Sequence, residues 1–126
     1  MSRFLIVVIG GGLGSGARYL VCAALAERLG SAFPWGTFTV NLLGSFLLGA
    51  IATLGLSSAT LSVEVRLLLT TGFMGGFTTY STFNYETLNL LLSERWIVGI
   101  ANIGLTLVGC LLGGGLGVLA GRAAGA

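Results

Sequence analysis

The sequence predicts an all-α membrane protein with four transmembrane helices, the third of them broken, and three observations lead there. Only 8% of its 126 residues are charged, against about 25% in a soluble domain, and 55% are hydrophobic. Lys, Asp and His are absent, and the six arginines and four glutamates are separated by long apolar stretches. Those stretches lack the apolar–polar alternation over about ten positions that a membrane β-strand requires, so they read as helices. With a mean hydropathy of +1.00, the chain has too few polar groups to cover a water-facing surface. Its net charge of +2 is small and scattered, and leaves no footprint for nucleic acid.

The first span is expected over roughly residues 4–25, closing at Glu27-Arg28. Its start, MSRFLIVVIGGG, has the single arginine and apolar core of a signal peptide. No polar domain follows, so it reads as a first span. The same segment carries Gly12-x-Gly14-x-x-Ala17, which fits a dinucleotide fingerprint. That fingerprint needs an acid about 20 positions on, and Glu27 comes too early. The glycines are therefore expected to be packing surface between helices. LGSAFPWG, with Pro34 and Trp35, reads as an interfacial loop.

A second span is expected over about residues 36–56. SSATLSVEVR follows as a loop, with Ser62 as the N-cap of the next helix. The third span, about residues 63–92, is too long for one straight crossing and has room for an interruption. Inside it stands GFMGGFTTYSTFNYE, residues 72–86. Gly72, Gly75 and Gly76 weaken a helix there, and Thr78, Thr79, Ser81 and Thr82 offer its backbone other partners. A break is expected near residues 75–79, tolerated at membrane depth where it lines a cavity or is buried in protein. SERW is a short loop, and the fourth span is expected over about residues 96–120. Cys22 and Cys110 lie inside apolar stretches and read as free thiols.

Polar side chains inside spans are the functional candidates. Thr37, Asn41 and Ser45 fall at i, i+4 and i+8 of the second span, and Asn102, Thr106 and Cys110 repeat that spacing in the fourth. Such stripes either join helices by hydrogen bonds or line a pore. Neither stripe holds a carboxylate, as a proton-coupled exporter of cations would need. Glu86 is the one acid near a span interior, and the first span offers Arg18 instead. Amides and hydroxyls can replace part of the water shell of a small anion while binding it loosely enough for release. Beyond the break, Tyr80, Phe83 and Thr87 fall on one face, and aromatic rings have positive edges. Carbonyls freed at the break can hold a monovalent cation. Arginines divide three (Arg3, Arg66, Arg122) against two (Arg28, Arg95) between the two sides, so charge selects no orientation. Insertion both ways would let opposite copies pair about an axis in the membrane plane.

The chain resembles the Fluc (CrcB) family of fluoride channels. The likeness runs over its whole length and rests on WGTFTVNLLG at Trp35 to Gly44 and TTGFMGGFTTYSTF at Thr70 to Phe83. The resemblance implies an antiparallel, dual-topology homodimer in the cell (inner or plasma) membrane, with two fluoride pores and a central structural sodium ion. It implies sodium held by the backbone carbonyls of Gly75 and Thr78 from both subunits. Asn41 matches the family's pore asparagine, Tyr80 and Phe83 its two pore phenylalanines, and Arg18 its first-span arginine. Thr82, Asn102 and Thr106 match its polar track, with Cys110 where serine is common. Tyr80 departs from the usual phenylalanine and adds a hydroxyl. The function implied is passive export of cytoplasmic fluoride, with no reaction catalysed. A small four-helix multidrug exporter and a non-transporting scaffold are the alternatives, the first opposed by the missing carboxylate and the second by the matched stripes.

Overall fold

The structure, a computed structural model, describes residues 2–57 and 61–125. Part of the loop expected over SSATLSVEVR, residues 58–60, lies outside the described residues. Helix α1 runs Ser2–Leu29 and α2 runs Trp35–Ser57. The third apolar segment begins with α3 (Val63–Leu67), widens into a π-helix (Leu68–Met74) and closes with one turn, α4 (Gly75–Phe77). After two extended residues it resumes as α5 (Tyr80–Leu92), and α6 runs Trp96–Gly125. Among the described residues, Ser2–Leu29, Trp35–Gly55 and Trp96–Gly125 are long and apolar enough to cross a membrane.

Local chemistry explains the ends. Gly30 takes φ +74°, a left-handed conformation that costs glycine little, and its N–H closes α1 on the Ala26 carbonyl. Ser62 caps α3 by accepting the Val65 N–H at 3.2 Å. At the end of α4, Thr78 donates twice to the Met74 carbonyl, from its N–H at 3.0 Å and its hydroxyl at 2.9 Å. At the next residue the Thr79 N–H bonds the Asn41 side chain in place of a helical carbonyl, and the chain leaves the helix. Thr79 is fully extended (φ −153°, ψ 120°) and caps α5 through its hydroxyl, which accepts the Thr82 N–H at 3.3 Å.

Glycine sets the packing. In α6, Gly113, Gly117 and Gly121 recur every fourth residue and face Leu42, Phe46 and Ala50 of α2, making this the most extensive helix pair. In α1, Gly10 and Gly14 meet the backbone of the π-helix, and Gly76 meets Gly11. Dispersion between close backbones, rather than exclusion of water, holds helices together in lipid, and small residues permit that approach. Among the described residues the buried apolar cluster is small: Val40, Met74 and Phe77, with Ala17, Val21, Cys22 and Phe73 against it. Large side chains such as Ile97, Leu116 and Leu119 point outward, as a lipid-facing surface requires.

Candidate functional site

Two of the clefts among the described residues bear on the predicted site residues. The larger, about 720 Å³, lies at mid-length of α2 and α6, where α4 gives way to α5. Its polar lining is Asn41, Ser45, Thr78, Thr79, Tyr80, Thr106 and Cys110, with Gly75 and Phe83 beside them. Leu48, Ile103, Leu107 and Leu111 complete an apolar wall, and no charged residue lines it. The smaller cleft, about 430 Å³, lies toward the N-terminal ends of α2 and α6, and its lining includes Cys22, Trp35, Thr37, Glu86, Asn89 and Arg95.

Asn41 is the pin of the larger cleft. Its amide donates to the Thr79 carbonyl at 2.9 Å, and its carbonyl accepts the Thr79 N–H at 2.7 Å. A side-chain amide thus replaces the helical partners that Thr79 lost at the interruption, satisfying two backbone groups that would otherwise be costly in an apolar surrounding. Ser45 donates to the backbone carbonyl of Asn41 at 2.7 Å. Arg18 reaches across from α1 and donates to the Thr78 carbonyl at 3.1 Å. The Tyr80 and Phe83 rings lie 5.8 Å apart at 52°, with Tyr80 79% exposed.

The predicted stripes divide between different surroundings. Thr37 is buried and lines the smaller cleft with Glu86, apart from Asn41 and Ser45. Asn102 is 1% exposed and donates to the Thr87 hydroxyl at 2.9 Å, joining α6 to α5. Thr106 donates to the Asn102 side-chain carbonyl at 3.3 Å and also reaches the larger cleft. Thr87 is buried, so it does not share the exposure of Tyr80 despite its spacing. Thr82 is exposed on the first turn of α5, and its hydroxyl accepts from Thr79 at 3.0 Å. One carboxylate oxygen of Glu86, Oε2, is buried with no hydrogen-bond partner among the described residues.

Two features were not assigned from the sequence. Thr79 was read only as one of several hydroxyls near the break, yet it bonds Asn41 and Thr82 together. Arg95 donates to the Ala32 carbonyl and ties the start of α6 to the loop before α2. Among the described residues no cluster of three His, Cys, Asp or Glu could hold a metal, so a cation here would meet backbone and neutral oxygen. The two cysteines are free.

Comparison with known proteins gives a consistent result. The family described as "CrcB-like protein, Camphor Resistance (CrcB)" matches residues 5–118. A fluoride-specific ion channel FluC of Sorangium cellulosum (strain So ce56) is 48% identical over 122 residues, covering 97% of this chain and 96% of that protein. One from Anaeromyxobacter sp. (strain K) is 51% identical over 112 residues, 89% of each chain. Another, from Geobacter sulfurreducens, is 42% identical over 97% of this chain and 98% of its own length.

Proposed function

The chain belongs to the CrcB-like family, and we propose from that premise that it is a fluoride-selective ion channel and not an enzyme. It is a multi-pass membrane protein that lets cytoplasmic fluoride leave down its electrochemical gradient. The observation that carries this reading is the larger cleft: a recess at mid-length of the helices, lined by amide, hydroxyl and aromatic groups and by no charge. A small anion can exchange part of its hydration for such donors and still leave. The only carboxylate near a span interior, Glu86, lines the other cleft, which counts against a cation exporter built around the larger one.

One copy supplies one face of the pathway. We read the exposed Tyr80, Phe83 and the cleft around them as the surface that a second, antiparallel copy covers, giving a dual-topology homodimer with two pores. Asn41, Ser45, Tyr80, Phe83 and Thr106 line the cleft, and we read Thr82, exposed on the first turn of α5 between Tyr80 and Phe83 in sequence, as bordering the path. Thr37 and Asn102 support it from behind, on their bonding and burial. Entering fluoride as its weak acid would dissociate inside, and the membrane potential would drive the anion out.

Sodium has a donor set that fits. Gly75 and Thr78 both line the cleft at the interruption, and peptide carbonyls suit a hard cation. A carbonyl oxygen has two lone pairs, so Thr78 can receive Arg18 and still face an ion. Two carbonyls from one chain are too few for a coordination shell, so two copies would complete it. Bound there, sodium would supply fixed positive charge that holds two interrupted segments together.

The test is a fluoride-electrode recording on proteoliposomes, with chloride as control. Rapid efflux of fluoride alone is expected. Proton-coupled cation exchange, or no flux from a well-folded dimer, would overturn the reading.

A further inference from the structure

Hydroxyl groups in this protein have a habitual bond. Ser45, Thr53, Thr70, Thr78 and Thr87 each donate to the carbonyl four residues back in their own helix, at 2.7–2.9 Å. A hydroxyl has one proton and two lone pairs. Once the proton is turned onto the helix, only lone pairs face outward, and those repel an anion. Ser45 and Thr78 line the larger cleft in that condition, and Thr106 directs its proton to Asn102.

Thr82 is different because of where it sits. Its carbonyl four residues back belongs to Thr78, on the far side of the interruption, and already receives the Arg18 guanidinium. Meanwhile Thr79 is buried and clamped at both backbone groups by Asn41. Its hydroxyl accepts the Thr82 N–H at 3.3 Å and donates to the Thr82 hydroxyl at 3.0 Å. The Ser81 hydroxyl lies 3.5 Å from that of Thr79. One Thr82 lone pair is engaged by Thr79, and the carbonyl of Thr78 lies across the extended interruption and not one turn back in the same helix, so the Thr82 proton is left to the exposed side of α5.

We propose that Thr79 is a positioning residue for conduction: it holds the Thr82 hydroxyl as an outward donor to the permeating fluoride. The inference rests on the reading above that Thr82 borders the path. It assigns to the interruption a role besides carbonyl exposure, since an unbroken helix would return the Thr82 proton to the residue 78 carbonyl.

The test is fluoride efflux from proteoliposomes for Thr79→Val, Thr79→Asn, Thr79→Ser, Thr82→Val and the double variant Thr79→Val/Thr82→Val. Dimer content by size exclusion is measured on each. Asn caps a helix at least as well as Thr but has no hydroxyl, so it decides the matter if Val at 79 does not fold. Expected are losses of about tenfold for Thr79→Val, Thr79→Asn and Thr82→Val, each with the dimer retained, and recovery of most of the flux in Thr79→Ser. The double variant is expected to be no slower than Thr82→Val alone, because a residue acting through another has nothing left to position. Losses that multiply in the double variant would make Thr79 a structural cap only and overturn the proposal. Full flux in Thr79→Asn would do the same. Unchanged efflux in Thr82→Val, with a conducting wild type, would remove Thr82 from the path and defeat the proposal while leaving the channel reading intact. A wild type that passes no fluoride would defeat both.

Discussion

Upstream of Thr78, the third apolar segment lies against α1 backbone to backbone, with Gly10, Gly11 and Gly14 facing Gly72, Phe73 and Gly76. Downstream, α5 is held by side-chain hydrogen bonds, through Asn41 to Thr79 at its start and Asn102 to Thr87 further on. Shape fixes the first part and polar bonds fix the second. Close packing is intolerant of added atoms, because neither backbone can retreat. Hydrogen bonds can be retuned singly and cost less each. Of the side chains proposed to face fluoride, Tyr80, Thr82 and Phe83 belong to the second part and Asn41 bonds to its start, where specificity can be adjusted without dismantling the fold.

The largest expected effect tests the shape half. A Cβ at Gly14 would overlap the Phe73 carbonyl, whereas one at Gly12 or Gly16 of the same helix would meet nothing within 4 Å. Gly14→Ala is therefore expected to leave little or no monodisperse protein after detergent extraction. Gly12→Ala and Gly16→Ala are expected to extract as wild type, with helix propensity favouring Ala by up to about 1 kcal/mol each. Normal yield of Gly14→Ala would mean the α1 contact is not the close one that the comparison requires.

Next comes Asn41→Asp, on the polar side. The carboxylate can still accept the Thr79 N–H, but it meets the Thr79 carbonyl with a lone pair where Asn41 donated at 2.9 Å. It also sets a negative charge in the cleft, worth a few kcal/mol against an anion about 4 Å away at an effective dielectric of about 20. Fluoride efflux is expected to fall by about a hundredfold or more while the dimer persists. Undiminished efflux would take Asn41 out of the pathway.

What the residues alone could convey follows the same division. Glycines and hydroxyls marked residues 75–79 as the weak point of a long apolar segment, and the helical path is interrupted at Thr78 and Thr79. Spacing of four put Thr37, Asn41 and Ser45 on one face, yet a face is not a site. Eight residues of helix rise about 12 Å, so a stripe of that length outgrows one cleft, and Thr37 enters the other. Tyr80, Phe83 and Thr87 were aligned on the same reasoning, but Thr87 is drawn inward by α6. The π-helix had no sequence signal; it lies where Gly72 and Gly10 meet, a contact between residues 62 positions apart. Bond direction at Thr79 was hidden for a similar reason: it is fixed by Asn41, 38 positions away.

Asn102→Ala separates the two meanings of a polar stripe at smaller cost. Asn102 is enclosed and bonded to Thr87 and Thr106, so its loss removes two contacts between or along helices. A membrane-embedded interhelical hydrogen bond is worth about 1 kcal/mol, so a lower melting temperature in detergent is expected. The ratio of fluoride to chloride flux is expected to hold. Lost discrimination at an unchanged melting temperature would instead place Asn102 in contact with the ion.

The smallest effect is expected from Arg3→Gln, and it bears on the comparison from the opposite side. Arg3 and Glu64 form an ion pair at 3.8 Å between α1 and α3, with side chains 66% and 54% exposed. Among the described residues it is the one salt bridge that joins α1 to the upstream part of the third segment. Water and salt screen such a pair, and ordering two mobile side chains offsets much of its attraction, leaving below about 0.5 kcal/mol. Melting temperature and fluoride flux should therefore barely move, at low or high salt. A large loss that grew as salt was lowered would show that charge, and not backbone contact, holds the upstream part to α1. In that case Gly14→Ala and Arg3→Gln would converge in severity, and the contrast between a shape-held and a bond-held half would fail at its first member.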